Sequence, residues 1–525
     1  MKKLLSVLLA AVMLLAMAGV AMAANSSDTG TITVEKVESG VTVSAYKLIE
    51  MTYDNDGEVT GSQWVSAVKG WIGTNYPDYL DISNFSKVSD TETLKSFYNA
   101  VAAAIKDGTL SKLQVAATET SDTEQRELTV TVGNYIILVS GGVNVYSPMA
   151  ASVQYDDEWK AKNATVEAKK STPSLEKNIK DADGNKVKSD TVKIGDTVKF
   201  VIEADVPEYP SNADNRTFVI GDVQSEGLDY AGNFKVTDQS GNPLTAGTQY
   251  TLQTENVQVV TGKDADGNEV TVPGAFNVVF TLKNMPGVSK VCIEYDAVVN
   301  EKVEIGTDNN TNDAHLKYST NPYGTDNYNY KEDKVKVYSY GIQVLKWTKG
   351  EKDAQTPLAG AEFRLYAELD SATKDVVANS EIKMVKESEG VYRVAKEKES
   401  GVAMVTDGNG QIQIKGLKGS TAGITYYLKE TKAPVGGYTK LTAPVSVTIA
   451  ADSATMKRVT KPAGITSDIL YASVKTEVEN KKGSLLPSTG GMGTTIFMVA
   501  GIAVMACAVV ALMVVLKRQK KQNEG

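Results

Sequence analysis

The sequence predicts an all-β exported body of tandem sandwich domains, set between a cleaved leader and a terminal membrane helix. Three observations carry this. Short alternating runs rich in Thr, Val, Ile and Tyr recur at 191–204, 276–282, 291–299, 335–345, 411–414 and 445–449, punctuated by Gly-Asn, Asp-Gly and Asn-Gly pairs. That is the pattern of antiparallel strands and hairpins packed as immunoglobulin-like sandwiches. The N-terminal stretch has a basic start (Lys2, Lys3), an apolar run and small residues at Ala21 and Ala23. The C-terminal stretch has an apolar run over 496–516 followed by Lys517, Arg518, Lys520 and Lys521.

In chain order, residues 1–23 read as a signal peptide cut after Ala23, because a basic, apolar, small-x-small order is what the secretory machinery recognises. A first domain follows over 24–170. It contains one helical exception, 91–105, where Leu94, Phe97, Tyr98, Val101 and Ile105 share a helix face. The polar, proline-marked Lys169-Lys170-Ser171-Thr172-Pro173 closes it. A second domain spans 171–340 and a third 341–483; both open with a lysine in the first strand, Lys177 and Lys346. Residues 484–525 form a terminal signal. Its run at 496–516 matches the ~20 residues that a spanning helix needs, and the basic tail stays cytoplasmic.

Composition narrows the function. The net charge of −9 is spread along the chain, which favours solubility and gives no reason to expect nucleic-acid binding. One histidine, His315, excludes histidine-based triads and multi-histidine metal sites. The loops at Asp181-Ala182-Asp183-Gly184-Asn185 and Asp264-Ala265-Asp266-Gly267-Asn268 lack the glycine and glutamate positions of a calcium loop and read as hairpin turns. No metal or cofactor is expected. Of two cysteines, Cys507 lies in the membrane run and Cys292 is alone in the exported body, so no internal disulfide can form there. Any covalent staple must be of another kind.

Leu486-Pro487-Ser488-Thr489-Gly490, just before the apolar run, resembles the sorting signal of sortase substrates. The resemblance implies that a sortase cysteine attacks the Thr489 carbonyl and releases everything from Gly490 onward, an acyl transfer through a covalent intermediate. A peptidoglycan amine as acceptor would give a wall-anchored monomer; a lysine of another copy would give a polymer. Shaft pilins carry that lysine near the end of their first domain in a Tyr-Pro-Lys-Asn setting. Ala164-Thr165-Val166-Glu167-Ala168-Lys169-Lys170 occupies the matching place without the tyrosine, proline or asparagine. Lys169 is the candidate and Lys170 the reserve.

Tyr427-Leu428-Lys429-Glu430-Thr431-Lys432-Ala433-Pro434, with Leu358-Ala359-Gly360-Ala361-Glu362-Phe363 upstream, resembles the E-box and opening strands of Cna-B-type domains in shaft pilins and wall adhesins. The resemblance implies an internal lysine–asparagine isopeptide bond between Lys346 and Asn480, with Glu430 as the acid. The second domain resembles the Cna-A-like middle domain of shaft pilins, which implies Lys177, Asp222 as acid and Asn312 as acyl partner, with Asn309 and Asn310 open as alternatives. Those residue types suit the chemistry. Burial lowers a lysine pKa so that the amine can attack, and raises a carboxyl pKa so that it can donate a proton. The first domain lacks a glutamate in Gly133-Asn134-Tyr135-Ile136-Ile137-Leu138, and no bond is expected there.

The expected function is the backbone subunit of a sortase-assembled covalent pilus, not an enzyme. Its expected partners are pilin-type and housekeeping sortases, other copies of itself, the peptidoglycan precursor, accessory pilins and a host surface ligand. The alternative is a monomeric wall-anchored adhesin.

Overall fold

The computed structural model describes residues 25–324, 327–460, 468–470, 472–483 and 493–522. The leader and the Leu486–Gly490 motif lie outside them. The chain divides into two compact units at Tyr340/Gly341, apart from the stretches 416–419 and 452–458, which group with the first.

In the first unit, residues up to 171 build a small sandwich. Thr29–Glu35 is flanked by Gln125–Thr131 and, in parallel, by Ala164–Glu167. Facing this is a sheet centred on Thr42–Tyr53, Gly133–Ser140 and Met149–Tyr155. Gly133–Ser140 is buried almost throughout because both of its faces are covered. Tyr135 and Ile137 join Ile32, Val43, Leu128 and Val153 in the sandwich core. Ile136 and Leu138, on the opposite face by the period-2 rule, meet Trp64, Ile72, Phe97 and Val101.

That second layer is helical. The expected helix spans Thr91–Lys106, and Asp90 caps it by accepting from the Thr93 amide at 2.8 Å. A further helix, Ser66–Asn75, was not expected. Its buried stripe is only Val68 and Ile72, and Gly70 and Gly73 dilute the signal.

Glu38 ties a turn of this sandwich. Burial pushes its carboxyl up, but the amides of Val143 and Asn144 and the Tyr146 hydroxyl outweigh that and hold it below the ordinary value. A depressed carboxyl contributes stability above its unfolded pKa, lost as pH falls through the folded one. Glu38→Gln should therefore lower the urea midpoint at pH 7, by about 1 kcal/mol of lost charge-assisted bonding, and converge on the parent near pH 3. Parallel curves at both pH values would count against this.

Residues 175–338 form a larger sandwich. One sheet orders Lys186–Val187, Leu175–Lys180, Thr197–Asp205, Lys290–Val299 and Leu228–Asp238; the other orders Ser189–Thr191, Tyr328–Tyr338, Thr311–Ser319, Phe218–Gln224, Phe276–Phe280 and Tyr250–Gln253. The run expected at 191–204 is two strands, because the chain turns at Gly195 with φ of 89°. Phe200, Ile202, Ile220, Phe276, Ile293, Tyr295 and Leu316 fill the interior.

The second unit is also a sandwich. Tyr340–Lys349, its first strand, lies between Gln411–Leu417 and the last strand, Ser473–Glu479, which it pairs in parallel from Gly341↔Ser473 to Trp347↔Glu479. The facing sheet carries Glu362–Tyr366, Ile424–Lys432 and Val445–Ala451. The helix Gly493–Gln522 ends the described chain; the most apolar 18-residue window within its stretch Phe497–Gln519 has mean hydropathy 2.9, and its apolar side chains are exposed. At 1.5 Å per residue that stretch crosses a ~30 Å hydrocarbon core.

Candidate functional site

Two buried clusters hold a lysine, a carboxyl and an asparagine. In the 175–338 sandwich, alternation along Leu175–Lys180 turns Lys177 and Ile179 inward. The opposite sheet supplies Asp222 from Phe218–Gln224 and Asn312 from Thr311–Ser319. These strands are direct neighbours, with Asp222 opposite Ala314 and Gln224 opposite Asn312, so the two side chains share a face. Lys177 Nζ donates to Asp222 Oδ2 and, at 2.6 Å, to Asn312 Oδ1. The Lys177 and Asp222 side chains are both 0% exposed.

Burial drives both titrations the same way. It pushes the Lys177 ammonium down against the pull of Asp222, and pushes the Asp222 carboxyl up against the pull of Lys177. Both directions favour the neutral amine and the neutral acid, the state in which an amine can attack an amide carbon. Two isolated charges in this place would cost several kcal/mol each.

The other two asparagines are engaged elsewhere. Asn310 Nδ2 donates to the Glu304 carbonyl at 2.7 Å, and Asn309 Nδ2 to Glu304 Oε2 at 2.8 Å. Asn312 is the one at Lys177.

Tyr295 is a member of this cluster that sequence reasoning missed. Its hydroxyl accepts from Lys177 Nζ at 2.8 Å and from Asn312 Nδ2 at 2.8 Å, and donates to Asp222 Oδ2 at 2.6 Å. Its inward phase beside Ile293 and Ala297 was readable, and a buried tyrosine hydroxyl needs a partner. Which partner it finds depends on the opposite sheet.

In the second unit, Lys346 comes from the first strand and Asn480 directly follows the last. The parallel register sets Lys346 beside Val478, and the Asn480 amide donates to the Trp347 carbonyl at 2.9 Å. Lys346 Nζ contacts Asn480 Oδ1, lies 3.0 Å from Glu430 Oε1, and sits 5.4 Å from the centre of the Phe363 ring. Glu430 Oε2 accepts from Asn480 Nδ2 at 3.3 Å and from the Leu441 amide at 2.7 Å. Asn480 Nδ2 also donates to the Thr439 carbonyl at 3.0 Å. Burial pushes Lys346 below its ordinary value, with Glu430 opposing.

Elsewhere the predicted residues stand apart. Lys169 lies between Ala164–Glu167 and Lys170–Ser171; the Ser147 amide donates to its carbonyl, and its half-exposed amine is 3.3 Å from Glu208 Oε1. In the first sandwich, the half-buried Lys47 donates to Thr131 Oγ1 and the Val132 carbonyl. No group of His, Cys, Asp or Glu suited to a metal occurs among the described residues.

Residues 343–462 match the SpaA family of prealbumin-like fold domains, and residues 478–523 match the LPXTG cell wall anchor motif. The anchor match and the apolar terminal helix make this a wall-anchored surface protein whose precursor is held in the membrane. The trypsin-resistant surface T6 protein of Streptococcus pyogenes is 24% identical, over 96% of this chain and 98% of that protein. Fimbrial subunit type 2 of Actinomyces naeslundii is 27% identical, over 63% of this chain and 58% of that protein. The solved T6 backbone pilin of serotype M6 S. pyogenes shares the fold, with a TM-score of 0.55 and 22% identity over 87% of this chain and 94% of that one. These relatives are structural subunits rather than enzymes. A wall anchor behind a prealbumin-like SpaA domain, in a chain aligned over nearly its whole length with the surface T6 protein, makes the protein similar to the major pilins of sortase-assembled pili.

Proposed function

We propose that this pilus shaft subunit is cross-linked twice within itself and once to each neighbour. Within the chain, Lys177 Nζ bonds to Asn312 Cγ and Lys346 Nζ to Asn480 Cγ, each step breaking the asparagine C–N bond and releasing ammonia. Between chains, a pilin-type sortase takes the Thr489 acyl group as a thioester. Lys169 of the next copy attacks it, forming an amide and freeing the thiol. The contact is head-to-tail and does not close, so it propagates as a fibre; a housekeeping sortase ends growth on the peptidoglycan precursor. Accessory pilins and a host ligand would complete its use in colonisation.

The observation that supports this most is the pair of enclosed clusters, each tying an early strand to a late one in a body with one cysteine. Their value is resistance to force and protease, a kinetic rather than equilibrium property. We extend to this chain the trypsin resistance in its relative's name, despite 55 lysines and arginines. The experiment is the intact mass of residues 25–485, expected two ammonias below the calculated value. An unreduced mass would refute both internal bonds. The rival, a monomeric wall-anchored adhesin, predicts a single band rather than a ladder on immunoblots of wall extracts.

A further inference from the structure

The two clusters present the same three functional groups with carboxyls of different reach. Glu430 spans its site alone, Oε1 forming an ion pair 3.0 Å from the lysine nitrogen outside hydrogen-bond geometry and Oε2 lying 3.3 Å from the asparagine nitrogen. Asp222 is one methylene shorter. Its Oδ2 meets Lys177, while its Oδ1 has no hydrogen-bond partner. Asn312 Nδ2, the atom that must leave as ammonia, instead meets the Tyr295 hydroxyl at 2.8 Å, and that hydroxyl is 2.6 Å from Asp222 Oδ2. The ring is held in place by Phe200, stacked at 5.4 Å, and by Phe276, edge-on at 4.9 Å.

We propose that Tyr295 is a catalytic residue of the Lys177–Asn312 cross-link, its hydroxyl relaying the proton of Asp222 to the departing Asn312 nitrogen. This rests on the reading above that the Lys177–Asn312 bond forms.

The step balances without any outside reagent. Neutral Lys177 Nζ attacks Asn312 Cγ, the new C–N bond forms, and the carbonyl electron pair moves onto Oδ1. Nδ2, planar and donating in the amide, becomes tetrahedral and gains a lone pair that can accept. Tyr295 gives Nδ2 its proton and takes one from the Asp222 carboxyl. The Oδ1 electron pair returns, the Cγ–Nδ2 bond breaks, and ammonia departs. The extra proton on Nζ passes back to the Asp222 carboxylate, so acid and phenol both end as they began. In the second unit no relay is needed, because Glu430 contacts both nitrogens itself.

The test uses the full-length chain, extracted in detergent from a sortase-deficient secreting host, with intact mass and peptide mapping over time. The parent should be short by two ammonias and yield both linked peptides. Tyr295→Phe should form the Lys346–Asn480 link normally but the Lys177–Asn312 link roughly 10²–10⁴-fold more slowly, the usual worth of a positioned proton donor. In the double variant Asp222→Glu with Tyr295→Phe, the longer carboxyl occupies the space of the lost hydroxyl and reaches Nδ2, and the second ammonia should again be lost. A Tyr295→Phe chain that links Lys177 as fast as the parent overturns the proposal. So does a double variant that stays unlinked, which makes Tyr295 a packing residue. A parent with no Lys177–Asn312 peptide removes the underlying bond instead, and the proposal with it.

Discussion

Glu430→Ala should leave Lys346 and Asn480 unjoined and lower the unfolding temperature of the second unit by roughly 15–25 °C. The size follows from the span of the link. Lys346 and Asn480 are 134 residues apart, and closing a loop of that length removes about 5 kcal/mol of chain entropy from the unfolded state. Each kcal/mol moves a sandwich of this size by a few degrees. The variant also strands Lys346 in a fully buried place without its carboxyl; the lysine answers by losing its proton, which limits the extra cost. Calorimetry beside intact mass checks both parts, and a variant with the parent's mass and midpoint would sink the assignment. Glu430→Asp is the sharper companion. It keeps the acid but withdraws it from one of the two nitrogens, and among the described residues no tyrosine bridges the gap as Tyr295 does at Asp222, so the bond should form slowly.

The mechanical consequence comes from the same strands. Tyr340–Lys349 and Ser473–Glu479 are parallel neighbours, so a pull on the two chain ends loads them in shear. A bond between Lys346 and Asn480 passes that load directly from the first strand to the last and bypasses everything between.

How much of this was legible in the sequence depended on whether a feature is local. Alternation is local, and the runs at 276–282, 291–299, 411–414 and 445–449 fall on strands. It read 335–345 as one run, although the junction at Tyr338-Ser339-Tyr340-Gly341 set the domain boundary where Tyr328–Tyr338 ends and Tyr340–Lys349 begins. It could not assign Gly133–Ser140 to two cores, since a strand covered on both faces shows an unbroken apolar run. The lysines, acids and asparagines were nameable from motif resemblance, and the structure brings each trio together. Choosing Asn312 over Asn309 and Asn310 needed the opposite strand, because the three differ in what their amides face and not in type. Tyr295 was hidden for the same reason.

Lys169→Ala should abolish the high-mass ladder, while Lys170→Ala should leave it intact. An amine that attacks a sortase-bound acyl group must be reachable and repeatedly presented in one place. Lys169 meets both needs: its carbonyl is held by the Ser147 amide and the preceding Ala168 amide by the Glu35 carbonyl, while its side chain remains 52% exposed. Its ion pair with Glu208 sits at the surface, where such pairs are worth about 0–1 kcal/mol. That is enough to bias the direction of the side chain without locking it. Lys170 is exposed as well but belongs to the next short strand, paired with Tyr146, so its backbone presents it from a different place than Lys169. A ladder that survives Lys169→Ala but collapses in Lys170→Ala would exchange the two; survival in both single variants and in the double would remove this segment from polymerisation. Thr489→Ala separates the two ends of the reaction. It removes the acyl donor, so the chain should remain a membrane-held precursor, whereas Lys169→Ala removes only the acceptor and should give a monomer that still reaches the wall.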